Sequence, residues 1–129
     1  MRIPALLGSF AVATALVLVP VSSATAHAAG TASAAAYKCN IVKSGEYWYA
    51  GHYSGMTVVP SATTVTAAGI EAQCLLKDIG YYTGTVDGYF GPLSQDAMKR
   101  YQRLINQQHN VGLAVDGWPG PKSWPWLRR

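Results

Sequence analysis

Apolar residues follow three rhythms along this chain. Ile3 to Val21 is an almost unbroken apolar run behind Arg2. Between Tyr37 and Pro60 the apolar residues become β-branched and aromatic: Ile41-Val42, the run Glu46 to Tyr53, and Met56 to Val59, parted by Ser44-Gly45 and Ser54-Gly55. Such runs with Gly-containing breaks predict short strands in a two- or three-stranded meander, with Tyr47, Tyr49 and Tyr53 on one face and Trp48 and His52 on the other. From Ala67 onward the spacing turns helical. Ala72, Leu75, Leu76 and Ile79 fall at i, i+3, i+4 and i+7, which predicts a first helix over 67–79 stopped by Gly80. A second helix is predicted over 92–108, burying Ala97, Tyr101, Leu104 and Ile105. A short third helix follows, with Ser123 as its cap, Pro125 awkwardly placed and its end fraying by Arg129.

Between the helices the chain repeats itself. VDGYFGPLS at Val86–Ser94 returns as VDGWPGPKS at Val115–Ser123, 29 positions later. Asp-Gly supplies tight-turn chemistry, because the Asp side chain accepts nearby backbone N–H groups and Gly tolerates positive φ. Gly-Pro reads as a helix start, where proline sacrifices no needed donor and the following Ser is expected to cap an orphan N–H.

Together with GIEAQCLLKDIGYYTG before it and WPWL after it, this segment resembles the peptidoglycan-binding-like domain family, from about Gly69 to Leu127. The family pattern is filled in order by Gln73, Leu76, Gly80, Tyr81, Tyr82, Gly84, Val86, Asp87, Gly88, Phe90, Gly91 and Pro92. It continues through Ala97, Tyr101, Gln102, Gly112, Leu113, Val115, Asp116, Gly117, Gly120, Pro121, Trp124 and Leu127. Two departures stand out: a stretch of six residues beyond the family spacing between Tyr101 and Val115, and Pro119 where the family usually has an apolar residue. The resemblance implies a mainly α fold: a three-helix bundle with an internal two-fold repeat, here preceded by a short disulfide-linked β meander. It also implies a shallow groove for glycan or stem peptide, carried over onto Tyr82, Asp87, Gln102 and Gln73.

Composition changes the picture at the N-terminus. Arg2, the apolar run and the small residues ending in Ala26-His27-Ala28 read as a secretory signal peptide, 1–28, rather than an uncleaved membrane anchor. Residues 29–36 read as a flexible leader, 37–60 as the β-type extension and 61–129 as the peptidoglycan-binding-like domain. An exported chain should pair its two cysteines, Cys39 and Cys74. At 100° per residue Cys74 lies nearly opposite the helical stripe, with Ile70 on the same side, so the β segment should be stapled to the outer face of the first helix. Without Arg2 the side chains leave nine positive charges against six negative, a mild +3. That favours anionic wall polymers or peptide carboxylates and argues against a nucleic-acid partner.

No catalytic set emerges. His52 and His109 stand apart without a carboxylate at ligand spacing, so neither metal nor cofactor is expected. A thiol nucleophile is excluded if both cysteines are oxidised. Glu46 and Glu71 are the sole glutamates, and nothing in the sequence pairs them for glycoside cleavage. The aromatic residues carry more: Phe90 is expected in the core, while Tyr89 and Trp118, at the variable position of the two repeats, are expected to point outward as sugar platforms. The resulting expectation is a secreted, non-catalytic, wall-associated protein that binds peptidoglycan, with no membrane contact after signal cleavage. Its rivals are a protein-interaction or inhibitor module with the Tyr-rich segment as its surface, and a minimal wall hydrolase.

Overall fold

The computed structural model describes residues 36–129. The signal-peptide reading of 1–28 and nearly all of the expected leader lie outside the described residues. Two short strands, β1 (Val42–Ser44) and β2 (Tyr47–Tyr49), form an antiparallel hairpin, followed by α1 (Ala67–Asp78), α2 (Pro92–His109) and α3 (Trp124–Leu127). The hairpin register pairs Val42 with Tyr49 and Lys43 with Trp48, across a turn at Gly45 with φ 66°. Neither Tyr53 nor the Met56–Val59 run extends the sheet. The reason is competition for backbone donors. Ala50, His52 and Tyr53 give their N–H groups to the Glu71 carboxylate, and Thr57 and Val58 give theirs to the Tyr53 hydroxyl oxygen. Those five donors are thereby withdrawn from any ladder.

Helix α1 starts at Thr66, whose hydroxyl accepts the Gly69 N–H at 2.9 Å. It closes in a Schellman arrangement, with Gly80 at φ 85° donating to the Lys77 carbonyl and Tyr81 to the Leu76 carbonyl. Ile79 therefore sits at the cap and is 43% exposed, so it leaves the stripe expected of it. The remaining stripe residues, Ala72, Leu75 and Leu76, pack with Phe90, Ala97, Met98, Tyr101, Ile105, Leu113, Trp124 and Leu127 in the main core. Helix α2 runs about a turn past its core contacts and ends at Asn110 in the left-handed region. There Asn106 clamps the following loop, donating to the Leu113 carbonyl at 2.8 Å and accepting its N–H at 2.6 Å. Pro119, the second departure from the family pattern, is fully buried and so keeps the apolar character of its position.

On the opposite face of α1, Ile70 and Cys74 join Ala50 and Val86 in a second cluster, closed by the Cys39–Cys74 disulfide. The extension is stapled where the helical angle of Cys74 placed it. A further clasp holds the C-terminus. Arg128 is fully buried; its guanidinium donates to Glu71 at 2.8 Å, to the Trp48 and Gly55 carbonyls at 3.1 and 3.0 Å, and to the Tyr53 carbonyl. The rings of Tyr49 and Trp124 lie 4.5 and 5.0 Å from it. Burial disfavours the Glu71 carboxylate, but Arg128 and the three backbone donors outweigh it and hold its pKa below the ordinary carboxylate value.

Candidate functional site

Two amides organise the loops between the helices. Gln73, on the second turn of α1, is fully buried, and its Oε1 accepts the Gly88 N–H at 2.8 Å. Its Nε2 lies within hydrogen-bond distance of Asp87 Oδ1 (3.1 Å), the Tyr89 carbonyl (2.9 Å) and Ser94 Oγ (2.9 Å). Gln102 on α2 does the same for the next loop. Its Oε1 accepts the Gly117 N–H at 2.9 Å, and its Nε2 reaches Asp116 Oδ1, the Trp118 carbonyl and Ser123 Oγ at 3.0, 3.1 and 3.2 Å. Each partner of Gln102 stands 29 positions after its counterpart around Gln73.

The turn chemistry follows the sequence. Asp87 Oδ1 accepts the Tyr89 N–H at 3.1 Å, Asp116 Oδ1 accepts the Trp118 N–H at 2.9 Å, and Gly88 and Gly117 both adopt φ 83°. A Cβ at Gly88 would lie 2.6 Å from Val65 Cγ1, and one at Gly117 would lie 3.0 Å from the Gln95 carbonyl oxygen, so both turns need glycine for space as well as for φ. The serines depart from expectation. Ser94 and Ser123 do not cap their helices; their hydroxyls face inward as acceptors for the two amides. A buried amide with several neighbours to satisfy outcompetes a capping bond that water can replace.

Outside these amides lie two clefts. The first, about 320 Å³, is lined by Tyr82, Asp87, Tyr89 and the Gly91–Ser94 segment. The second, about 500 Å³, is lined by Asp116, Trp118, Val59 and the Gly120–Ser123 segment. In both, the hydrogen bonds to the aspartate, from the supporting amide and from its own loop, fall on Oδ1. Tyr82 is 6% exposed; its hydroxyl donates to the Thr85 carbonyl at 2.6 Å, and burial raises its pKa. Tyr89 is 45% exposed, as expected of an outward platform. Trp118 is half-buried, because its ring rests on Phe90 with centroids 5.8 Å apart while another part lines the second cleft. Phe90 itself is fully buried.

The structure therefore divides the five expected contact residues. Tyr82, Asp87 and Tyr89 meet in the first cleft and Trp118 lines the second, whereas Gln102 lies beneath the second loop with its amide fully engaged. In this position it serves as a loop support. Asp116 and Lys122 of the second cleft were not singled out as contacts, although the 29-residue spacing that relates Asp116 to Asp87 is present in the sequence. Among the described residues no three His, Cys, Asp or Glu side chains gather closely enough to hold a metal ion.

Residues 68–127 match the family described as "Putative peptidoglycan binding domain". This segment belongs to that family. The domain is also similar to part of N-acetylmuramoyl-L-alanine amidase CwlM of Mycobacterium tuberculosis, 45% identical over 51 residues, which are 40% of this chain and 11% of the amidase. It is similar to part of a spore cortex-lytic enzyme of Bacillus cereus, 46% identical over 54 residues, 42% of this chain and 18% of that enzyme. The chain thus spans less than a fifth of either relative, within the region of the binding domain. No solved structure matches significantly.

Proposed function

We propose that this chain is a secreted, non-catalytic protein that binds peptidoglycan through the two clefts outside Gln73 and Gln102. The observation that carries the reading is the pair of rigid loops, each offering a carboxylate and an aromatic ring beside an apolar Gly-Pro turn. Rings stack on the apolar faces of sugars, while carboxylates and backbone groups take hydroxyls and amides, which is the chemistry of a wall glycan and its peptides. Because the amides lock the loops from below, little ordering is needed when a ligand arrives. The named relatives are an N-acetylmuramoyl-L-alanine amidase and a spore cortex-lytic enzyme, and the match to them lies in the binding domain rather than across their whole length. Binding without bond cleavage is accordingly the role assigned here.

Co-sedimentation of the mature protein with purified peptidoglycan, with and without covalently attached wall polymers, tests this reading. Detectable but weak binding is expected, falling modestly between low and moderate salt, since stacking and neutral hydrogen bonds are poorly screened. Tyr89→Ala should weaken it without lowering thermal stability. Loss of all sedimentation at moderate salt would assign binding to net charge instead. Sedimentation unchanged in Tyr89→Ala and Trp118→Ala but abolished by Tyr47→Ala or Tyr49→Ala would transfer recognition to the β extension, whose Trp48 is 37% exposed. Release of dye from labelled wall would identify a hydrolase.

A further inference from the structure

The two clefts share their inner wiring but differ in charge. Where the first presents Leu93, 69% exposed, the second presents the exposed Lys122, 29 positions later. The second cleft is thus lined by a carboxylate, Asp116, and an ammonium, Lys122, with the Trp118 ring, Val59 and Ala114 providing apolar wall. Among the described residues the ion pairs are Arg100–Asp96 and Arg128–Glu71, so neither Asp116 nor Lys122 is held in an ion pair. Opposite charges held apart in one cleft fit a ligand that itself carries both signs, since each end then meets its complement. At about 500 Å³ the cleft is large enough to seat a short peptide end.

Resting on the peptidoglycan reading above, we infer that the second cleft recognises the uncross-linked end of a stem peptide. The free side-chain ammonium of its diamino acid faces Asp116, and its free terminal carboxylate faces Lys122. The first cleft, with a carboxylate and no cation, is left to neutral glycan. Cross-linking consumes the ammonium of one stem and the terminal residue of another, so such a site discriminates open stems from joined ones. Recognition of this kind directs the protein to newly made or freshly cleaved wall.

The test uses the mature protein and the peptide Nα-acetyl-Lys-D-Ala-D-Ala, followed by backbone and indole NMR shifts and by calorimetry. Shifts are expected at Trp118 and Lys122. Acetylating the probe's side-chain amine, or amidating its C-terminus, should each weaken binding about three- to tenfold, the range for one half-exposed charge contact. Lys122→Leu, which copies the first cleft, should lose the preference for the free carboxylate and bind the acid and amide probes equally. Asp116→Asn keeps an Oδ1 acceptor for its loop while losing the preference for the free amine. Shifts confined to Tyr89 and Leu93, equal binding of capped and uncapped probes, or an unaltered preference in Lys122→Leu would overturn the inference. If those results came while the protein still sedimented with peptidoglycan, the binding function would stand and the assignment of this cleft alone would fall. Failure to sediment at all would remove the reading on which it rests.

Discussion

The loop held by Gln73 and the loop held by Gln102 use the same inner parts and different outer ones. Each has a buried amide, an Asp accepting on one oxygen, a Gly at φ 83° and an inward Ser hydroxyl. Outside, Tyr89 stands in water whereas Trp118 leans on Phe90, and Leu93 is replaced by Lys122. The supports differ as well. The first loop packs under Val65 and Ile70, beside the disulfide-linked extension, whereas the second lies against Gln95 and Lys99 of α2. Geometry is thus set from beneath, and the positions facing the clefts are released to vary in chemistry without moving the backbone.

The most damaging way to break this equivalence is to reverse the amide chemistry. In Gln73→Glu or Gln102→Glu, the carboxylate still accepts the Gly N–H but has nothing to donate, and it faces the oxygen of a neighbouring aspartate. Losing the donated bonds and burying a repelled charge should cost about 5 kcal/mol at neutral pH. If the loops are equivalent, the two variants should melt within about 1 kcal/mol of each other in denaturant, and both should recover partly as acid neutralises the new carboxyl. A large cost for one and a small one for the other would show that only one loop depends on its amide.

The extension distinguishes the two halves, because its main polar anchor, Glu71, lies on α1. Glu71→Gln leaves the Arg128 guanidinium buried without its counter-charge and should destabilise by about 3 to 5 kcal/mol. The pH profile gives a second reading. Since the folded pKa of Glu71 is held below its ordinary value of 4.5, its stabilising contribution is complete above that pH and is lost as pH falls through the folded value. The variant should therefore show a flatter acid limb than the parent in melts between neutral pH and the acid range. A parallel limb would mean that another group governs acid unfolding.

Removing the disulfide is a milder change. For the 35-residue separation of Cys39 and Cys74, loop closure predicts about 3 to 4 kcal/mol lost in a Cys39→Ser, Cys74→Ser double variant, less any relief of strain. Hydrogen exchange should then rise first at Ala50 and Val86, which share the second cluster with Cys74, and leave the Gln102 loop protected. Equal loosening of both loops would show that the extension supports the whole domain.

Legibility in the sequence follows how local the physics is. The helix positions, the turn glycines and the disulfide on the outer face of α1 follow from periodicity, φ preference and the angle of Cys74, all local quantities. Of the two- or three-stranded meander, the two-stranded form is the one present, and the Met56–Val59 run stays out of it with its Thr57 and Val58 donors on Tyr53, a partner that β propensity does not register. Gln102 looks like a contact residue because amides serve ligands and loops with the same atoms. Depth decides between these roles, and depth is a tertiary property. Arg128 carries no local signal, since the Glu71 carboxylate, three backbone carbonyls and the nearby aromatic rings that converge on it all come from distant parts of the chain.

The smallest effects concern the two rings, and they distinguish platform from prop. Tyr89 is largely exposed and its backbone, not its ring, makes the loop bonds, so Tyr89→Ala should change stability by less than about 1 kcal/mol. Trp118 makes the equivalent backbone bonds, but its ring also covers Phe90, so Trp118→Ala should cost about 2 kcal/mol through lost apolar contact. Thermal melts measure both, and sedimentation with peptidoglycan measures what stability does not. A Tyr89→Ala protein that melts like the parent and binds more weakly identifies a ring used for ligand alone. If both variants melt like the parent, Trp118 is not a prop and the asymmetry of the outer positions lies in charge, at Leu93 and Lys122, rather than in the rings.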